Sequence, residues 1–181
     1  MYDPRCVTAA IEAGIDDYEF CGIPVEPAEP GAQPVPVVTP ALVLTAFRSI
    51  RLPPSQIRVQ PPEGETLVNF ETNFFTETGS FDRRLSLLGQ RVDLRIFPTT
   101  YTWVFGDGTS ARGSDPGAPY PDLRVTHVYQ RKGRVSVRLD TTWGADFRVG
   151  GGPWRPVGGT ATISGAPEPL RVLEAQPNLV G

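Results

Sequence analysis

The residues of this 181-residue chain best placed for chemistry lie in "YTWVFGDGTS" (101–110), where Asp107 sits between Gly106 and Gly108 with Thr109 and Ser110 behind it. A carboxylate and two hydroxyls on a glycine-rich turn suit either a hard cation or a phosphate. A phosphate loop must open a helix whose N-terminal N–H groups face the anion, and the continuation "ARGSDPGAPYP" is too rich in proline and glycine to form one. For calcium, Asp107 and Asp115 offer oxygens, but their spacing is not that of an EF-hand loop. The simpler role for either is a turn carboxylate that accepts from its own backbone.

Other chemistries have less to work with. Two cysteines and one histidine cannot fill a zinc site of the usual kind without recruited carboxylates. His127 would have to serve any Ser-His-Asp arrangement, yet no serine sits in a strand-turn-helix elbow, and within "RVTHVYQRKGRV" it reads as a strand residue before a turn. Glu71, Glu77 and Asp82 could supply paired carboxylates, but nothing singles out two of them. No enzymatic activity and no cofactor are expected. Trp143, Trp154 and Tyr120 offer flat faces on which sugar rings could stack; burial is the commoner fate of tryptophan.

The net charge of −3, with seventeen basic residues spread along the chain, leaves no electrostatic footprint for nucleic acid. No apolar run approaches the roughly 20 residues needed to cross a bilayer, so no membrane insertion by this chain is expected. "MYDPRCVTAA" lacks the charged and apolar regions of an export signal. Cys6 and Cys21 nevertheless lie where a short disulfide-closed loop would staple a segment poor in core residues, which implies an exported protein whose signal is missing from the sequence.

These residues must be positioned by β-structure. Twenty prolines and nineteen glycines punctuate short apolar runs that alternate with period two, the pattern of an all-β protein. An N-terminal arm is expected over 1–65. It holds a short helix capped by Asp3, a Pro-rich linker from Gly22, and a helix over 40–50 capped by Thr39, with Leu42, Ala46 and Ile50 on its buried stripe. A β-sandwich of about seven strands is expected over 66–181. Val92, Leu94 and Ile96 alternate with Arg91, Asp93 and Arg95, and Val135 to Trp143 alternate likewise; shorter strands are expected at 67–75, 100–105, 124–129, 145–149, 158–164 and 170–174.

"YTWVFGDGTS", then "VTHVY", then "GRVSVRLDTTW" form an ordered set that resembles the PKD (polycystic kidney disease) domain over roughly 67–175. The resemblance implies an immunoglobulin-like β-sandwich. Trp103 and Phe105 would face its core, Gly106-Asp107-Gly108 would make a tight turn, and Tyr129, two residues after His127, would pack at a sheet corner before Gly133, its hydroxyl in water. It also implies a non-catalytic secreted or cell-surface module, acting as spacer, protein-interaction unit or accessory to carbohydrate-active enzymes. Some members carry calcium, which makes Asp107 and Asp115 the candidates here. The stretch "LPPSQIRVQPPEGETLVNFETNFF" with its Pro-rich approach is similar to actinobacterial exported proteins that place such a segment before the domain.

Overall fold

The structure, a computed structural model, describes residues 36–175. The expected first helix, the Cys6–Cys21 bridge and most of the Pro-rich linker lie outside the described residues. A boundary between two units falls at Pro36/Val37, and the described residues from Val37 onward belong to the second.

In the second unit one described helix, α1 (Pro40–Ser49), precedes the strands β1 (Arg58–Gln60), β2 (Glu65–Leu67), β3 (Glu71–Phe75), β4 (Phe81–Leu87), β5 (Gln90–Val104), β6 (Ser110–Gly113), β7 (Thr126–Val128), β8 (Gly133–Val149), β9 (Arg155–Pro156), β10 (Ala161–Ser164) and β11 (Glu168–Leu173). Thr39 caps α1 as its sequence requires, Oγ1 accepting from Leu42 N at 3.3 Å, with Pro40 where a missing N–H costs nothing. The buried stripe is rotated by one residue from the expected one. Val43 and Phe47, one turn apart, are fully buried, while Leu42, Ala46 and Ile50 flank them half-buried.

β1, β3 and β7 make a three-stranded sheet, and a larger sheet runs β2-β11-β8-β5-β4, with β6 beside β5 and both β9 and β10 beside β8. All described pairings are antiparallel except β2 with β11, which is parallel in the register Glu65–Arg171, Thr66–Val172, Leu67–Leu173. The immunoglobulin-like sandwich expected from the sequence is therefore present. The strand count is not: pairs expected as separate strands are fused in β5 and β8, and β1, β4, β6 and β9 had no expected counterpart. The expected interruption between Ile96 and Thr100 does not end the strand. Instead a bulge between Pro98 and Thr100 absorbs it, with Thr99 Oγ1 donating to Thr142 O at 3.0 Å.

That bulge decides where the core lies. Before it the even residues Val92, Leu94 and Ile96 face inward; after it the odd residues Tyr101 and Trp103 do, so β5 stays in phase with Val137, Leu139, Trp143, Ala145 and Phe147 of the unbroken β8. Two cores result. One gathers Val43, Phe47 and Leu52 against Val92, Leu94, Ile96, Trp143 and Phe147; the other gathers Phe74 and Tyr129 against Tyr101, Trp103, Val137, Leu139, Leu170 and Val172. α1 falls within the arm expected over 1–65. Val43 and Phe47 build the first core, and fully burying such side chains contributes roughly 1.5–3 kcal/mol each.

Candidate functional site

Two constellations could carry function. The first is the Gly-Asp-Gly turn. Phe105 N donates to Thr109 O at 3.1 Å and closes it. Gly106 has φ +83° and lies against β8, where an added Cβ would stand 2.5 Å from Ser136 O, so only glycine fits. Asp107 Oδ1 accepts from Thr109 N at 3.0 Å and from Thr109 Oγ1 at 2.6 Å, and Oδ2 lies 2.7 Å from His127 Nε2. Partial burial opposes ionisation here, but the bonds from Thr109 and His127 outweigh it and hold the carboxyl at about 2. An ionised carboxylate only accepts, so Nε2 carries the proton.

The His127 ring lies flat on Phe105, centroids 4.2 Å apart and planes 2° from parallel, with Tyr129 edge-on at 4.7 Å. Tyr129 is 1% exposed, and its hydroxyl donates to Phe105 O at 2.9 Å. The expected wet hydroxyl is corrected: the backbone carbonyl replaces water, and burial pushes the phenol well above its ordinary value. Trp103 and Phe105 are buried core residues. Gly108 (φ +93°) completes the turn, and Gly133 opens β8. The Asp107 carboxylate and the Tyr129 hydroxyl thus both find their partners within this set.

Asp115 is spent in the same way: Oδ1 accepts from Gly117 N at 2.9 Å and lies 3.7 Å from Arg124 Nη1. Among the described residues no group of three or more His, Cys, Asp or Glu could hold a metal ion. Glu71 lies on β3 and Asp82 on β4, and Glu77 faces Arg58 at 3.8 Å. Trp143 offers no stacking face. It is fully buried, with Phe81 edge-on at 5.6 Å, because β8 keeps its odd residues inward along its whole length. Trp154 lies beneath the guanidiniums of Arg95, 4.1 Å from the ring centroid, and Arg148, at 4.7 Å. Tyr120 is 76% exposed.

The second constellation escaped the sequence reading. On the face of the large sheet opposite the first core, Arg84, Asp93 and Arg148 stand in one cross-strand row and Asp82, Arg95 and Asp146 in the next. Asp93 is only 8% exposed although alternation placed it in solvent. Its Oδ1 accepts from Arg84 Nε (2.9 Å) and Arg91 Nε (3.1 Å), its Oδ2 from Arg91 Nη2 (2.9 Å) and Arg148 Nε (3.1 Å). Arg91 first, then Arg84 and Arg148, hold this carboxyl far below the ordinary carboxylate range against the opposing effect of burial. With Trp154, the side chains of Asp82, Arg84, Asp93, Arg95 and Arg148 line a cleft of about 260 Å³. The signal was present as the sign alternation of Arg91, Asp93 and Arg95, but the pairing with β4 and β8 that assembles it is not a local property.

The two sheets form an immunoglobulin-like sandwich whose signature residues are consumed largely by their own packing. Residues 83–144, about a third of the chain, match the family model of the PKD domain. The match runs from within β4 into β8 and contains the whole set from Trp103 to Gly133. The PKD domain is a non-catalytic immunoglobulin-like module, commonly extracellular, whose members mediate protein interactions. No curated protein matches the chain. No described helix is long and apolar enough to cross a membrane.

Proposed function

We propose that this protein is a non-catalytic module, secreted or displayed on the cell surface, that binds, spaces or assembles other proteins. One observation carries the reading. The turn that most resembles a reactive site is closed on itself, Asp107 by Thr109 and His127 and Tyr129 by Phe105, while the arginine-rich sheet face is left towards solvent. A polysaccharide-binding role has less support, since Trp143 is buried and Trp154 is covered by arginines, which leaves Tyr120 alone. Calcium is outside this reading because Asp107 and Asp115 already spend oxygens on their own turns. An exported setting, such as that of the actinobacterial proteins with a similar arm, fits the family's common location, and oxidised Cys6–Cys21 would be its covalent mark.

The test is chemical cross-linking and affinity capture from the native cell envelope, with the full chain and with the chain shortened to Val37–Gly181. A shorter cut at residue 54 would remove Val43 and Phe47 from the core and confound folding with binding. A protein partner recovered reproducibly supports the reading. Binding confined to a glycan array, with no protein captured, sinks it.

A further inference from the structure

The arginine-rich face adjoins a free strand edge. Among the described residues β4 pairs with β5 alone, so the outer side of Phe81–Leu87 presents backbone N–H and C=O groups that no described strand meets. Around it Arg83, Arg84, Arg91, Arg95 and Arg148 outnumber Asp82, Asp93 and Asp146, in a chain whose net charge is −3. The arginines are held in place rather than free. Arg84 and Arg148 each reach Asp93 through Nε, and Arg95 and Arg148 lie over Trp154. A guanidinium bound at Nε or flat on a ring keeps its remaining N–H donors in its plane, the arrangement that grips a carboxylate in two places. Among the described residues Arg83 and Arg95 make no ion pair, while Arg84 and Arg148 bond Asp93 through Nε.

We infer that β4 and the cleft beside it form a docking surface for an acidic polypeptide segment, which adds to the sheet as an extended strand and sets its carboxylates against Arg84 and the cleft arginines. The backbone edge selects a polypeptide, and the excess of arginine selects its charge. A residue placed opposite Arg84 would stand about 5 Å away between Cβ atoms, within reach for an aspartate or glutamate. Charges on an edge strand also deter uncontrolled pairing. That accounts for Asp82, Arg83 and Arg84, but not for two guanidiniums stacked on a tryptophan on the strands behind them.

This inference rests on the protein-binding reading above. The experiment titrates the full chain into a fluorescein-labelled octapeptide of alternating Glu and Thr, and reads anisotropy. Binding is expected at low salt, with affinity falling at least tenfold between 50 and 500 mM NaCl as the charges are screened, estimates on the order set by ionic attraction. A Lys-Thr peptide should not bind, and N-methylation of alternate amides should abolish binding of the Glu-Thr peptide. Arg84→Gln and Arg95→Gln, both at exposed positions and checked by thermal melts, should each weaken it about fivefold or more, the scale of one lost charged contact. Equal binding by the N-methylated peptide overturns strand addition. Binding of oligogalacturonate with no binding of the Glu-Thr peptide overturns the choice of partner. If partners captured by cross-linking are unchanged in Arg84→Gln and Arg95→Gln, the surface is wrong while the protein-binding reading stands; if no partner is captured at all, that reading has failed.

Discussion

Asp107 and His127 meet at 2.7 Å, Oδ2 to Nε2, and the imidazole that makes this bond also lies flat on Phe105, two residues before Asp107. The pair therefore ties β7 to the turn after β5. It is a clasp between strands, with both partners committed, and removing either should loosen the fold before it alters any binding.

His127→Ala should lower stability by about 2 kcal/mol, the sum of a charged hydrogen bond and a lost ring contact, with peptide binding at β4 unchanged at temperatures where the fold persists. Urea denaturation measures the first effect and anisotropy the second. A wild-type urea midpoint in the variant would remove the clasp from the account.

The carboxyl of Asp107 sits at about 2 against an ordinary 3.8. A carboxylate depressed on folding contributes fully above its ordinary value and loses that contribution as pH falls from about 4 through about 2. Asp107→Asn should then cost on the order of 1 kcal/mol at neutral pH, after allowance for solvent screening, with the difference from wild type shrinking at pH 2.5. Urea midpoints at both pH values test this, and a gap that stays constant would contradict it.

Tyr129→Phe removes only the hydroxyl that meets Phe105 O, so a loss of about 1–2 kcal/mol is expected by thermal or urea denaturation. Gly106→Ala should be far worse. Its Cβ would collide with the Ser136 backbone at a positive φ, and soluble folded protein should be lost or greatly reduced.

Asp93 is shared by three arginines at once, so Asp93→Asn should destabilise through increased repulsion among Arg84, Arg91 and Arg148. High salt screens such repulsion, and the melting temperature of the variant should recover part of its deficit in 1 M NaCl. A deficit untouched by salt would mean that lost hydrogen bonds, and not charge, are responsible.

Much of the fold was legible because its signals are local. Thr39-Pro40 marks a helix start wherever it occurs, and the alternation through Val92, Leu94 and Ile96 names a strand and its inner face without reference to any partner. The continuity of β5 was not legible, because the bulge that carries the strand past Pro98 is held by Thr142 of β8, forty-three residues from Thr99. Tyr129 was misjudged for a related reason: the sequence marks it as amphipathic, and only the facing sheet decides whether water reaches it. Asp93 is the extreme case. Its own neighbours place it in solvent, and three arginines from three strands remove it.

The parallel pairing of β2 with β11 has a mechanical consequence. A pull transmitted to Glu65 from the N-terminal side and to Leu173 from the C-terminal side drags these strands in opposite directions along their length. Their cross-strand links, among them Arg171 N to Gly64 O and Val68 N to Leu173 O at 2.8 Å each and the Arg171–Glu65 ion pair at 2.7 Å, then take the load together and not one after another. A unit clamped in shear resists tension far better than one that unzips, which suits a spacer that must keep its length under load.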